Sequence, residues 1–222
     1  MILIAGDIES TGFSPATDKI VEVALTELTA DLEVEFEAHS LINPDMPIPP
    51  AVSAVHHITD AMVADAPSIE EFFGRFPALK SQPIVFIAHN AKFDMGFLKN
   101  FFHEDSQTLC TVRLAKHVYP DLENYKLQTI RYTFDLDAGR AHSADGDTTV
   151  LVNFLKHVAQ ETGLTVAEMV EVAKAPIAVK KMPFGKHKGK ALTALPKDYV
   201  KWALGNIDNL DPDLRLALEA VL

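Results

Sequence analysis

The chain has 222 residues, 48% of them hydrophobic, and a net charge of −11 at pH 7. That is enough for one substantial core with a small appended module, and too acidic for non-specific nucleic-acid binding across the whole surface. No apolar run reaches the roughly eighteen residues of a membrane span, and the opening MILIAGDIES lacks the basic start and small-residue cleavage pattern of an export signal. The single cysteine, Cys110, cannot form an internal disulfide, so the expected setting is the cytoplasm, with no membrane partner.

In chain order, strands come first, then helices alternating with a buried strand, a pattern that predicts an α/β fold with a sheet covered by helices. Residues 2–9 are expected to form a central strand. Residues 20–28, dense in Val, Ile and Leu, form a second strand. In 33–42, Glu33, Glu35 and Glu37 alternate with Val34, Phe36 and Ala38, which predicts a third, antiparallel strand with its glutamates facing water.

Prolines between 44 and 50 interrupt regular structure before a short helix near 51–56. Ser68 with Glu71 makes a capping box. Residues 84–88 form a short apolar strand, after which Asn90 is placed to cap a helix with Phe93, Phe97, Leu98 and Phe101 as its buried stripe, and with Asp94 in its first turn. Helices are predicted over 112–119 and 127–134.

Residues 143–146 read as a loop entering a longer helix whose apolar stripe is Val150, Leu151, Phe154, Leu155 and Val158, with Asp147 near its start. Thr165 with Glu168 gives a second capping box. Ala175 and Pro176 mark a junction, dividing the chain into domains 1–173 and 174–222. Charge segregates across that line: 11 Lys+Arg against 26 Asp+Glu before it, 9 against 5 after it. In the tail, Tyr199, Trp202, Leu204 and Leu210 are read as a small core, and Asp211 with Pro212 opens a last helix.

Residues two apart on a strand share a face, so Asp7 and Glu9 project together. Asp94 sits where a helix N-terminus favours the ionised carboxylate. His142 and Asp147 are about 140° apart on an ideal helix, which places His142 ahead of the helix that carries Asp147. Each feature alone has an ordinary reading: a solvated strand end, a first-turn aspartate, a surface histidine beside a cap. Together, four carboxylates repel one another unless cations offset the charge, and an oxygen-lined site beside a histidine points to metal-assisted hydrolysis.

The segments Asp7-Ile8-Glu9-Ser10-Thr11-Gly12, His89-Asn90-Ala91-Lys92-Phe93-Asp94 and His142-Ser143-Ala144-Asp145-Gly146-Asp147 resemble, in order and spacing, the three motifs of the four-acidic-residue, histidine-containing 3′→5′ exonucleases. Ile48-Pro49-Pro50 through Val55-His56-His57-Ile58-Thr59 is similar to the loop with which that family holds the terminal nucleotide. Met182-Pro183-Phe184-Gly185-Lys186-His187-Lys188-Gly189-Lys190, with Tyr199 and Trp202 after it, looks like the small C-terminal module of exodeoxyribonuclease X-type proteins.

The resemblance implies a ribonuclease H-like mixed β-sheet flanked by helices, followed by a small, mainly helical module. It implies two divalent ions, Mg²⁺ or Mn²⁺, held by Asp7, Glu9, Asp94 and Asp147, with His142 as general base. Thr11, Gly12, Phe13, His56, Ile58, Asn90 and Phe93 would lie around the terminal nucleotide, and Lys186 and Lys188 along the phosphate backbone. The expected partner is nucleic acid with a free 3′ end, DNA in preference to RNA, cleaved to nucleoside monophosphates in DNA repair.

Other readings stay open: a proofreading subunit of a bacterial DNA polymerase gripping it through the tail, an RNA 3′-end trimming enzyme, and an end-binding module with a dead site. A homodimer stays open too. Two positions depart from the family pattern. Ile8 stands where threonine is common, and His57 where glycine is frequent in the nucleotide-holding loop.

Overall fold

Two runs rich in Val, Ile and Leu and a third in which glutamates alternate with apolar residues form an antiparallel meander of β1 (Ile2–Ser10), β2 (Ile20–Leu28) and β3 (Val34–Leu41). In the computed structural model, which describes residues 2–136 and 143–222, two parallel strands complete the sheet. β4 (Ile84–Ala88) pairs with β1, and β5 (Gln107–Cys110) with β4, giving the order β3-β2-β1-β4-β5. Parallel neighbours need a crossover. Between β3 and β4 lie the short helices α1 (Pro50–His56), α2 (Asp60–Val63), α3 (Ile69–Phe73) and α4 (Ala78–Ser81), and between β4 and β5 lies α5 (Lys92–Leu98). Beyond β5 come α6 (Thr111–Val118), α7 (Leu127–Thr133), α8 (Ala144–Thr162) and α9 (Val166–Lys174).

Strand alternation divides the core between the two faces of the sheet. Leu3 and Ala5 of β1, with Val85 and Ile87 of β4, meet Leu114, Ile130, Leu151, Phe154 and Met169 of α6 to α9. Ile4 and Ile8, with Val23, Leu25 and Phe86, meet Phe72, Phe73, Leu98 and Phe102 on the opposite side. Every residue of the stripe expected on α8, from Val150 to Val158, is at most 1% exposed. At roughly 1.5–3 kcal/mol for each fully buried large apolar side chain, that stripe is what docks α8 against β1 and β2.

Three local expectations are corrected. β3 is an edge of the sheet and its first half is open on both faces: Val34 is 48% and Phe36 50% exposed on one, and Glu35 and Glu37 are exposed on the other. Phe36, against Phe76, and Ala38 reach the helical layer. Asn90 does not cap α5. It adopts a left-handed conformation (φ 67°), and Ala91 takes the N-cap position without a side-chain hydrogen bond. The expected loop at 143–146 is mostly helix, because α8 starts at Ala144, whose N–H donates to Glu22 Oε2 at 3.0 Å. Both capping boxes form as read, at Ser68 with Glu71 and at Thr165 with Glu168.

The chain divides into two units, Met1–Lys174 and Ala175–Leu222. The second is built on α10 (Lys197–Asn206) and α11 (Pro212–Glu219) around Met182, Leu192, Val200, Ala203, Leu214 and Leu218. Asp211 Oδ1 accepts the N–H groups of Asp213 and Leu214 at 3.0 and 3.1 Å, with Pro212 in the first turn. Tyr199, Leu204 and Leu210 join this core, but Trp202 does not: it is 52% exposed. Two residues from Val200, it is about 200° round the helix and faces away from the buried side.

Candidate active site

The pairing of β1 with β4 ends at Ala5, opposite Ile87, whereas its pairing with β2 continues to Ser10. The second half of β1 therefore has an open flank. Asp7 and Glu9 lie there, on the face shared by Leu3 and Ala5. Two helices bring their first turns to this flank: α5, entered from the end of β4, carries Asp94, and α8 carries Asp147. Carboxylate oxygens of Asp7, Glu9 and Asp147 lie within 4.8 Å of one another. Asp94 is 1% exposed, and its Oδ2 is buried with no hydrogen-bond partner among the described residues. Of the charges around Asp7, that of Asp94 acts on it most strongly.

Burial raises the Asp7 carboxyl well above its ordinary 3.8, and Asp94, Asp147, Glu9 and Glu22 add their repulsion. Burial, then Glu22, Asp147 and Asp94, pushes Glu9 to about 7. Burial also pushes Asp94 to about 7, against backbone hydrogen bonds from its own amide and from Ile8 that favour the ionised form. These acids do not all ionise near neutrality without a compensating positive charge. The donor set is oxygen only and partly orphaned, and it fits divalent cations, which take carboxylate oxygens. A second group, Glu22, His39 and Asp145, is equally close-set, but both Glu22 oxygens are already engaged by protein donors.

Three supporting residues escaped the reading of the sequence. Gln128 on α7 donates from Nε2 to Asp147 Oδ1 at 2.7 Å, fixing one carboxylate oxygen. Glu22, 3% exposed and opposite Glu9 in the β1–β2 register, accepts from Ala144 N–H and, at 2.8 Å, from His39 Nε2. It latches the start of α8 to the sheet. His89 donates from Nε2 to the Tyr125 carbonyl at 2.8 Å and accepts on Nδ1 from the Thr111 hydroxyl at 2.9 Å. Burial lowers it to about 4, so it stays neutral and ties the end of β4 to the segment before α7. A glutamate inside the apolar strand 20–25 is a signal the sequence does offer; Gln128 offers none.

Around this centre, Thr11 is buried and its hydroxyl accepts from Lys19 N–H at 3.0 Å. A Cβ on Gly12 would come within 2.5–2.7 Å of the Asp18 carboxylate, which itself accepts from Ser14 N–H at 2.8 Å. Only glycine permits that approach. Phe13 is 89% exposed, its ring 6.3 Å from that of Phe93, which leans on Phe97.

His56 is buried and accepts on Nδ1 from Ile58 N–H at 3.0 Å, which leaves the proton on Nε2; burial lowers its pKa below the ordinary 6.5, against the charge of Glu22 and a backbone hydrogen bond to Ser10. Ile58 itself is buried with Val21, Ile48 and Val63. His57 has φ 64° at the end of α1, the left-handed conformation for which glycine is favoured. Asn90 is exposed. Lys186 and Lys188 are exposed in the second unit, and His142 lies outside the described residues.

The family model described as "Exonuclease" matches residues 4–155, and the one described as "Putative quorum-sensing-regulated virulence factor" matches residues 173–206. Exodeoxyribonuclease 10 of Escherichia coli (strain K12) is 30% identical over 211 residues, covering 91% of this chain and 92% of that protein. The PolC-type DNA polymerase III of Caldanaerobacter subterraneus subsp. tengcongensis is 34% identical over 189 residues, covering 80% of this chain and 13% of the polymerase. Among solved structures, exonuclease X in complex with 5′ overhanging duplex DNA aligns with a TM-score of 0.65 at 28% identity, over 77% of this chain and 99% of that one. E. coli exonuclease I in complex with a dT13 oligonucleotide aligns at 0.64 and 16% identity, over 73% of this chain and 42% of that one, a likeness of fold alone.

Proposed function

This chain belongs to the exonuclease family and is a 3′→5′ exonuclease, and from that premise we propose that it hydrolyses DNA from free 3′ ends, releasing nucleoside monophosphates. The centre is a pair of divalent cations, Mg²⁺ or Mn²⁺, held by Asp7, Glu9, Asp94 and Asp147. The observation that carries this is the convergence of Asp7, Glu9 and Asp147 within 4.8 Å, with the buried Asp94 carboxyl near enough to act on Asp7. When bound, such ions stabilise the attacking and leaving oxygens of an in-line displacement.

The chain's own residues do the rest. Four carboxylates match the charge of two dications, and the ionisation of Asp7, Glu9 and Asp94 near pH 7 is coupled to cation binding because burial and mutual repulsion raise their pKa. Gln128 orients Asp147, and Glu22 holds the start of α8 in place. His142 takes the proton of the attacking water, a role worth about 10²- to 10⁴-fold in rate and suited to an imidazole with an ordinary pKa of about 6.5. Phe13, exposed beside Phe93, offers an aromatic face to the terminal base.

DNA as substrate is supported by the near full-length similarity to Exodeoxyribonuclease 10 and by the relative bound to 5′ overhanging duplex, which presents a recessed 3′ end. The similarity to a PolC-type polymerase segment favours a second reading, proofreading in company with a polymerase, which predicts co-purification with one. The test is digestion of a 5′-labelled DNA single strand, a duplex with a recessed 3′ end and an RNA strand. On both DNA substrates a descending ladder is expected with Mg²⁺, absent in EDTA and absent for Asp7→Ala and Asp147→Ala. Internal cuts, or digestion that persists in EDTA, would overturn the proposal.

A further inference from the structure

The second unit completes its own core yet leaves a cluster of aromatic rings in the open. A cleft of about 830 Å³ is lined by Phe184, Lys186, His187, Pro196, Tyr199 and Trp202, among others, within the range of ligand-binding clefts. Tyr199 and Trp202, three residues apart on α10, hold their rings 5.7 Å apart and 29° from parallel. The His187 ring stands edge-on to Tyr199 at 4.4 Å. Trp202 is 52% and Phe184 41% exposed.

The charge around this cleft is mostly positive. Lys186 Nζ lies 5.4 Å from the centre of the Tyr199 ring, and Lys180, Lys181, Lys188 and Lys190 are exposed on the same stretch of chain. That stretch is held as a fixed loop: Met182 N–H donates to the Lys190 carbonyl at 2.9 Å and Gly189 N–H to the Met182 carbonyl at 2.8 Å. Gly185 and Gly189 turn it at φ 69° and 82°. The one acid on the lining is Asp198.

We propose that this cleft is a second binding site, distinct from the hydrolytic centre, for single-stranded nucleic acid. Bases stack on Trp202 and Tyr199 while the lysines of 180–190 neutralise phosphates. The inference rests on the reading of nucleic acid as this chain's substrate. It selects the single strand because the bases of a duplex bury their ring faces against one another, whereas those of a single strand are free to stack on side chains.

Trp202 is the sole tryptophan of the chain, so its emission reports on this cleft alone. The full-length protein, in EDTA so that nothing is hydrolysed, is titrated with oligodeoxythymidylate. Saturable quenching is expected, with a midpoint that rises with salt. By anisotropy of a labelled oligonucleotide, Trp202→Ala, which removes a half-exposed ring outside the core, weakens binding about 5- to 150-fold. Lys186→Glu combined with Lys188→Glu flattens the salt dependence.

Unchanged Trp202 emission, equal quenching by a blunt duplex, or quenching by an acidic or proline-rich peptide and not by the oligonucleotide would overturn the proposal. Because hydrolysis plays no part in the readout, its failure leaves the digestion result standing.

Discussion

Replacing Glu9 by glutamine is expected to stabilise the metal-free fold while ending hydrolysis. Burial and the charges of Glu22, Asp147 and Asp94 carry Glu9 from 4.5 to about 7, so the native state holds this proton more tightly than the unfolded chain does. The associated stability is fully present below about pH 4.5 and is lost as the pH rises through about 7. At 1.36 kcal/mol per pKa unit, the ionised side chain at pH 8 opposes folding by at most about 3 kcal/mol.

Glutamine keeps the shape without the charge. For a protein of this size about 3 kcal/mol corresponds to roughly 6 to 12 °C in Tm. Differential scanning fluorimetry in EDTA should show that rise for Glu9→Gln at pH 8, shrinking at pH 5 to the equivalent of about 1 kcal/mol or less. Adding Mg²⁺ should raise the wild type more than the variant. A variant no more stable than wild type at pH 8 in EDTA, or a gain that persists undiminished at pH 5, would refute the electrostatic account of the site.

Gln128→Ala removes the donor on Asp147 Oδ1; a lost hydrogen bond to a charged group is worth about 1.5–3 kcal/mol, so turnover should fall about 10- to 100-fold and half-saturating Mg²⁺ should rise in steady-state assays. Phe13→Ala should leave Tm within about 1 °C, since the side chain is 89% exposed, while raising KM for a DNA end about 5- to 150-fold if a base stacks there; an unchanged KM removes Phe13 from the substrate site. His142→Ala should slow single-turnover hydrolysis by about 10²- to 10⁴-fold with Mg²⁺ binding retained by calorimetry, and loss of the metal along with the rate would assign it a ligand's role instead.

The acids could be singled out because each lies in a short segment with a local pattern: Asp7 and Glu9 by the two-residue period of a strand, Asp94 and Asp147 by their positions in the first turns of helices. None of these signals is specific alone; it is their joint order and spacing, and the family resemblance this carries, that marks them as one site. The capping boxes at Ser68 and Thr165 are likewise contained within four residues. What the sequence hid depends on contacts between distant segments. The hydrogen bond that starts α8 early joins Glu22 to Ala144 across 122 positions, and Gln128 reaches Asp147 only because α7 folds back beside α8. Trp202 was misread because an apolar residue in a short helix fits a core or a surface equally well until the register of Val200 and Ala203 fixes the buried side. Asn90 was misread as a cap because the same residue type also favours the left-handed turn it adopts.

The most direct test of the carboxylate cage is its capacity for ions. Titration of the chain with Mn²⁺ in the presence of a nucleoside monophosphate, followed by electron paramagnetic resonance of the free ion, is expected to give two bound ions per chain and a loss of at least one in Asp7→Ala. Binding of no ion, or the same stoichiometry and affinity in Asp7→Ala, would contradict it.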